Sequence, residues 1–149
     1  MRAYGILAFL FLLVVLSVPA SGQFSVTLPL KVHKGTVLVE ATVAGKAGWF
    51  LLDTGASTTV IQESLCKKDC SDYHRGSYHP QGIMLNASYD SATTVLEFAG
   101  RKMKGEFILM PRVYDDGDVH ASGLIGEDVL RMFSSFTVNF RGSTLTLVW

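Results

Sequence analysis

The sequence predicts a single all-β domain with one or two short helices, and three observations support that fold class. Most segments beyond residue 23 either alternate between apolar and polar residues or form short apolar bursts, and glycine-containing turns separate them. About 125 residues remain once an N-terminal leader is set aside. A chain of that length buries one core and leaves no room for a second lobe. We therefore expect one sheet-rich domain over residues 23–149.

The N-terminus has the layout of an export signal. Arg2 precedes an apolar run over residues 6–15, and small residues follow around Ala20 and Gly22. This order predicts a signal peptide over residues 1–22, cleaved after Ala20 or Gly22, and a periplasmic or secreted protein. A membrane span needs roughly 20 apolar residues, so we expect no stable span after cleavage. Retention of the leader as an anchor is the alternative.

The first half of the domain is expected to be strands that lead into a tight turn and a helix. The pattern predicts strands over residues 24–32, 36–43 and 49–52, joined by turns at residues 33–35 and 44–48. Residues 61–68 have the spacing of a short helix. The polar stretch 69–81 has few apolar residues and is expected to be a loop.

The second half predicts more strands and one further helix. Strands are expected over residues 82–88, 91–98, 102–110, 136–140 and 144–149, with turns at residues 99–101 and 141–143. Residues 127–133 place Val129, Leu130 and Phe133 on one side of a helix. The acidic residues Glu127 and Asp128 in its first turn suit the positive end of a helix dipole.

Charge and cysteine content narrow the function classes. The formal net charge is +0 at pH 7, and no basic stripe suggests nucleic-acid binding. Cys66 and Cys70 are the two cysteines. Behind an export signal, they predict a small local disulfide. A zinc pair is the alternative, but companion ligands at metal-site spacing are missing from the sequence. We therefore expect no metal and no other cofactor.

The central motif is Asp53-Thr54-Gly55-Ala56-Ser57, which directly follows the apolar strand. A carboxylate at this point lies where the chain leaves the sheet, and glycine lets the backbone turn closely beneath it. Neighbouring hydroxyl groups can donate hydrogen bonds to the carboxylate and lower the cost of keeping it ionised. The alternative is an ordinary turn in which Asp53 caps local amides.

A second element, Gly123-Leu124-Ile125-Gly126, lies some seventy residues downstream. Two apolar residues followed by glycine and a short helix can pass close behind the first turn, because Gly126 has no side chain. Taken alone, the element is equally compatible with a simple strand-to-helix junction.

Together the two elements resemble the retropepsin-like aspartic proteases, in particular single-lobed bacterial members with an Asp-Thr-Gly-Ala-Ser motif. The resemblance spans residues 24–149 and implies a closed, single-lobed acid-protease β barrel. It also implies an aspartic endopeptidase that acts on polypeptides as a homodimer, with Asp53 as the catalytic carboxylate. Thr54 and Gly55 would brace the dimeric site, Ser57 would orient the carboxylate, and Leu124-Ile125-Gly126 would support the loop from below.

The flap that closes over substrate in such proteases has a less typical counterpart here. Gly76 and Gly82 bracket a segment that contains Tyr78, His79 and Pro80, and proline stiffens the chain. Tyr78 and His79 are candidate substrate contacts, and a solvated loop is the alternative.

Other functions are also compatible with parts of the sequence. A binding or scaffold domain would keep the fold without the chemistry, and a heterodimer would complete the site with a different lobe. Asn86-Ala87-Ser88 has the form of a glycosylation acceptor. Residues 115–118 are rich in aspartate, but they lack the glutamate and spacing of a calcium loop and predict a polar turn.

The leader generates the first testable prediction. We expect exported protein to begin at Ser21 or Gln23, because the small residues that end the apolar run suit cleavage there. N-terminal sequencing of exported material checks this. A chain that still begins at Met1 would contradict it.

Overall fold

The structure is a computed structural model that describes residues 24–66, 69–78 and 88–149. The leader over residues 1–22 lies outside these residues, as do His79 and most of the strand expected over residues 82–88. The helices are α1 (Glu63–Cys66) and α2 (Glu127–Leu130). The strands are β1 (Ser25–His33), β2 (Thr36–Val43), β3 (Lys46–Leu52), β4 (Val60–Gln62), β5 (Ser71–Tyr78), β6 (Tyr89–Phe98), β7 (Arg101–Met110), β8 (Tyr114–Asp115), β9 (His120–Ala121), β10 (Gly123–Ile125), β11 (Ser135–Asn139) and β12 (Thr144–Val148).

Ten of these strands form one sheet in the order β11-β12-β1-β2-β3-β10-β4-β7-β6-β5. A further pairing joins β2 to β6 through Thr42 opposite Glu97 and Val43 opposite Leu96. Through that pairing, a ring of strands forms a partial barrel, and its members are β2, β3, β10, β4, β7 and β6. The predicted fold class, an all-β single-lobed barrel with one or two short helices, is confirmed, and the described strands form a partial ring.

Three hairpin turns share the same backbone conformation. Lys34-Gly35, Ala44-Gly45 and Ala99-Gly100 each place two consecutive residues at positive φ, between 48° and 82°. Two such residues match the twist of the strands they join, and glycine takes the second position without a steric penalty. The turns were therefore predicted in the right places, although β3 begins at Lys46 and not at residue 49.

The core fills the barrel and continues beneath the neighbouring strands. Its largest fully buried side chains include Phe50, Phe98, Leu38, Ile61, Leu96, Ile125, Leu145 and Leu147. Along β6 and β12, buried positions alternate with half-buried ones, as the period-two pattern predicts. Phe98 and Phe133 meet edge to face with ring centroids 6.0 Å apart. Phe133 in turn contacts Trp149, the last residue, which ties the C-terminus to the core.

The loop expected over residues 69–81 is wrong for most of its length, because residues 71–78 form β5. This strand lies at one edge of the sheet and pairs with β6 through an irregular register. Asp72 and Gly76 take positive φ within it, and its described side chains are exposed. The strand is held by backbone pairing with β6 and has no apolar face. Its sequence therefore lacks the apolar alternation by which a strand is predicted.

Both helices are shorter than expected. Residues 61 and 62, predicted as the start of a helix over residues 61–68, instead form β4 together with Val60. This strand lies between β10 and β7, so α1 retains Glu63–Cys66. Helix α2 ends at Leu130, and Phe133 packs from the turn that follows. The hairpin of β8 and β9 was not predicted, since each strand has two residues.

Cys66 and Cys70 form a disulfide with Cα atoms 5.0 Å apart. The bridge closes the short segment between α1 and β5. Beside it, the Lys46 ammonium lies 2.6 Å from the Asp69 carboxylate. No helix formed by the described residues is both long and apolar enough for a membrane crossing.

Glycine at position 123 is required by close packing, and this generates a testable prediction. A Cβ there would lie 2.1 Å from the Phe50 ring and 2.6 Å from the Val60 carbonyl oxygen. We expect Gly123→Ala to reduce the free energy of unfolding by about 1–3 kcal/mol, because the core must shift to admit the methyl group.

The matched control is Gly105→Ala, also in a strand, where the added Cβ would meet only the Phe107 ring at an ordinary 3.6 Å. Urea unfolding of both variants measures the difference. Equal stability of the two alanine variants would contradict the packing argument.

Candidate active site

The Asp-Thr-Gly motif forms the loop between β3 and β4. The backbone N–H of Asp53 donates to the Ile125 carbonyl, 3.1 Å away. One carboxylate oxygen of Asp53 accepts a 2.8 Å hydrogen bond from the N–H of Gly55, and the Asp53 carbonyl accepts a longer one from the N–H of Ala56. The chain therefore turns around the Asp53 carboxylate and gives it a charge-stabilising donor.

This loop faces outward from the single chain. Asp53 is half-buried, while Thr54, Gly55 and Ser57 are exposed. A Cβ at Gly55 would lie 3.3 Å from the Asp53 carboxylate oxygen, so a larger residue there would crowd the carboxylate. The loop therefore places a hydrogen-bonded carboxylate at a surface that another molecule can reach.

The second sequence element lies directly beside the first. Leu124 and Ile125 of β10 pair in parallel with Leu51 and Leu52, the last two residues before Asp53. Ile125 is fully buried. The two apolar strands therefore end side by side, which brings Gly126 to the base of the Asp53 loop.

Gly126 makes an approach that no other residue permits. A Cβ on it would lie 2.7 Å from the carbonyl carbon of Thr58 and 2.9 Å from the carbonyl oxygen of Ala56. Both atoms belong to the backbone, so the loop itself would have to shift to admit a side chain. The next residue, Glu127, donates its N–H to the same Ala56 carbonyl at 2.8 Å. The loop and the start of α2 are thus in direct backbone contact.

Two residues that were not among the predicted site residues complete this contact. Thr59 is fully buried, and its hydroxyl accepts a 3.0 Å hydrogen bond from the N–H of Gly126. The same hydroxyl donates to one carboxylate oxygen of Asp128 at 2.7 Å, and the other oxygen accepts the N–H of Thr59 at 2.9 Å. Thr59 and Asp128 therefore connect the Asp53 loop to α2.

The sequence contains only a weak indication that Thr59 and Asp128 are structurally important. Thr59 precedes the apolar pair Val60-Ile61, so a polar residue there interrupts a run that enters the core. Asp128 is the second acid of a helix start, where the helix dipole alone accounts for it. Only the fold shows that the two residues meet.

The remaining candidate residues are the flap pair, Tyr78 and His79, and the two cysteines. Tyr78 ends β5 opposite Tyr89, and His79 is outside the described residues, so their contact with substrate stays a prediction. The disulfide of Cys66 and Cys70 lies at the opposite end of β4 from the Asp53 loop and takes no part in the site.

Among the described residues, one group of side chains has the spacing of a metal site. Ligand atoms of His33, Asp116 and Asp118 lie within 4.8 Å of one another. The Lys34 ammonium already lies between the two carboxylates, 3.0 Å from Asp116 and 3.3 Å from Asp118. Hydrogen bonds hold the pKa of the Asp116 carboxyl well below its usual range. The largest contribution comes from the backbone N–H of Val119 and the next from the Lys34 ammonium. We interpret the group as an ion-pair cluster that joins the turn after β1 to the hairpin of β8 and β9.

The buried hydroxyl generates a prediction. We expect Thr59→Val to lower the free energy of unfolding by about 1–3 kcal/mol, because it leaves the buried N–H of Gly126 without an acceptor. Thr59→Ser, which keeps the hydroxyl, is the control and should lose less. Chemical unfolding of both variants measures this, and an equal loss would contradict the prediction, because the Thr59 methyl group would then contribute as much as the hydroxyl.

Comparison with solved structures places this arrangement among known folds. A retropepsin-like aspartic protease from Rickettsia conorii is 18% identical, covers 86% of this chain and 92% of its own, and superposes with a TM-score of 0.53. The EIAV protease in complex with the inhibitor HBY-793 is 20% identical and covers 64% of this chain and 85% of its own, with a TM-score of 0.49. The retroviral protease-like domain of Ddi1 from Leishmania major is 16% identical and covers 78% of this chain and 90% of its own, with a TM-score of 0.47.

The family comparison rests on sequence. No curated protein matches the chain significantly. A family model described as aspartyl protease matches residues 39–128, which is more than half of the chain and includes the Asp53 loop, β10 and the start of α2. The chain therefore belongs to the aspartyl protease family and has the retropepsin-like fold.

Proposed function

We propose that the protein is an exported aspartic endopeptidase that hydrolyses polypeptides as a homodimer. The observation that carries this proposal is the outward-facing Asp53 loop, whose carboxylate accepts the N–H of Gly55 and whose far side is fastened to α2 through Thr59. A carboxylate held in this way at a surface suits chemistry with a second group opposite it. Membership of the aspartyl protease family supports the reaction class.

A second carboxylate is required, because one cannot act as base and acid in the same step. The chain carries one Asp-Thr-Gly motif, so the second Asp53 comes from another copy. Two carboxyl groups at close range cannot both ionise cheaply, and they therefore share one proton. Sharing gives the two Asp53 side chains different roles.

The reaction then proceeds without a covalent enzyme intermediate. The ionised Asp53 takes a proton from a water molecule, and the water oxygen attacks the peptide carbonyl carbon. The protonated Asp53 donates to the carbonyl oxygen as negative charge develops on it. In the tetrahedral intermediate, the peptide nitrogen accepts a proton, the carbon–nitrogen bond breaks, and an acid and an amine leave. The dyad supplies both proton transfers, so the proposal includes no metal and no organic cofactor.

The other residues of the two elements position this carboxylate. Thr54 and Gly55 are exposed at the tip of the loop, where the second copy would meet them. Ser57 follows on the same loop and would orient the carboxylate. Leu124, Ile125 and Gly126 support the loop through the β3 pairing and the close approach described above. Tyr78 and His79 would contact the substrate.

Two features of the chain support the export that we propose. The apolar run near the N-terminus has the layout of a cleaved leader. The disulfide of Cys66 and Cys70 is of a kind that persists in oxidising compartments. Both features support a periplasmic or secreted protease.

The proposal predicts that Asp53→Asn abolishes cleavage. The substitution removes the ionisable group with little change in volume, so the fold should be retained. Cleavage of an unbiased peptide pool across pH is the measurement, with circular dichroism to verify folding. Wild-type activity should show a bell-shaped profile on the acidic side, whose two limbs belong to the pair of carboxyl groups.

Self-association provides the second arm of this experiment. Activity per chain should fall on dilution through the dimer dissociation constant. In an equal mixture with Asp53→Asn, about a quarter of the dimers should remain fully wild type if chains pair at random. A mutant as active as wild type would overturn the protease assignment, and an inert wild-type protein would favour a binding domain with this fold.

A further inference from the structure

Strand β5 pairs with β6 but contains more residues than its partner over the same length. From Ser71 to His74 the strand advances three residues, while β6 advances two. From His74 to Tyr78 it advances four residues, while β6 again advances two. Extra residues of this kind form bulges, which bend a strand and re-aim the residues beyond them. The path of β5 therefore depends on how its extra residues are held.

Each of the two bulged stretches contains a residue in the left-handed backbone region. Asp72 has a φ of 49° and Gly76 a φ of 56°. Glycine adopts such angles without a steric penalty, and aspartate tolerates them better than most residues do. The strand lies at the edge of the sheet, and residues 71–76 are exposed. Burial of apolar side chains therefore contributes little to holding β5 in this arrangement.

One carboxylate on β6 contacts both bulged stretches. The Tyr73 hydroxyl donates to Oδ2 of Asp90 at 2.6 Å, and the backbone N–H of Gly76 donates to Oδ1 at 2.9 Å. Tyr73 lies in the first bulged stretch and Gly76 in the second. Asp90 itself lies on a regular part of the sheet, opposite Leu109 of β7. One side chain therefore connects the irregular edge strand to the regular sheet at two points.

The charges around this contact favour an ionised Asp90. Its hydrogen bond from the Tyr73 hydroxyl, followed by that from the Gly76 N–H, lowers the pKa of the Asp90 carboxyl, and the Arg75 cation adds a smaller effect in the same direction. The hydrogen bond to Asp90 also raises the pKa of the Tyr73 phenol. Hydrogen bonds to an ionised acceptor are roughly twice as strong as those between neutral groups. The contact is therefore strong enough to hold an exposed strand.

We propose that Asp90 is a positioning residue that fixes the register of β5 and, through it, the backbone at Tyr78. We call the contact of Asp90 with Tyr73 and Gly76 the Asp90 clasp. Asp90 is the chain neighbour of Tyr89, which lies opposite Tyr78, so the clasp adjoins the end of the strand. The inference rests on the proposed function for its substrate, because Tyr78 is proposed to contact the polypeptide. Without the clasp, a slip of one residue would turn each following side chain to the opposite face.

Amide hydrogen exchange of the intact protein tests the clasp itself. Asp90→Ala removes both acceptors, so exchange over residues 73–78 should accelerate by about tenfold or more, as expected for lost hydrogen bonds to a charged group. Tyr73→Phe removes one donor and should give a smaller acceleration. The matched control is Asp72→Asn, which removes a carboxylate from the same strand at a positive φ that asparagine also tolerates. Exchange over residues 144–148 of β12 should stay unchanged in every variant.

Peptide cleavage tests the positioning role. A residue that holds substrate equally well in the ground and transition states changes KM and leaves kcat nearly constant. Tyr73→Phe and Asp90→Asn should each raise KM by about three- to tenfold, with kcat within about twofold of wild type. The double variant should lose little more than the weaker single variant, because both substitutions remove the same interaction. Asp72→Asn should keep the wild-type KM.

The outcomes separate this inference from the proposed function. Unchanged exchange over residues 73–78 in Asp90→Ala, or equal acceleration in Asp72→Asn, would overturn the clasp even in an active protease. Faster exchange accompanied by a lower kcat and an unchanged KM would overturn the positioning role. A wild-type protein that cleaves no peptide would overturn the proposed function and the substrate role of Asp90 with it, and exchange would still decide whether the clasp fixes β5. Faster exchange confined to β5, together with a raised KM, would support the whole inference.

Discussion

The hydrogen bonds of the Thr59 hydroxyl are the interaction on which the candidate site depends. This hydroxyl is fully buried and joins the N–H of Gly126 to the carboxylate of Asp128. It lies at the end of the loop that begins with Asp53, so the position of α2 and that of the carboxylate are coupled. A buried polar group is costly unless both its donor and acceptor capacities are used, and here both are.

Backbone proximity is the constraint that makes this connection possible. Gly126 lies against the backbone of Ala56 and Thr58, and Gly123 lies against the ring of Phe50. Each glycine lets β10 fit between β3 and β4, with which it pairs in opposite senses. Without that insertion, the ends of β3 and β10 would not lie side by side, and Asp53 would lack the Ile125 carbonyl that holds its backbone. The two sequence elements form one structural unit for this reason.

Much of the fold could be predicted because the residues that indicate each turn and strand lie close together along the chain. The positive-φ turns at Lys34-Gly35 and Ala99-Gly100 need glycine in the second position, and the strands beside them alternate in burial. Strand β5 was not predictable, since its evidence lies in the backbone pairing with β6. The pairing of Thr59 with Asp128, 69 residues apart, likewise has no local signal. Spacing identified the Asp53 loop and Gly126, but not the polar contact that joins them.

The exposure of the Asp53 loop agrees with what the proposed function requires of it. Under that proposal, a carboxylate that needs a second carboxylate from another copy must lie at the surface of its own chain, as the half-buried Asp53 and exposed Thr54 do. The loop is nevertheless fixed from behind, through the backbone contact at Gly126 and the hydrogen bonds of the Thr59 hydroxyl. A carboxylate that is accessible in front and fixed behind can meet a second group without first having to be ordered, and that order is what a preorganised site supplies.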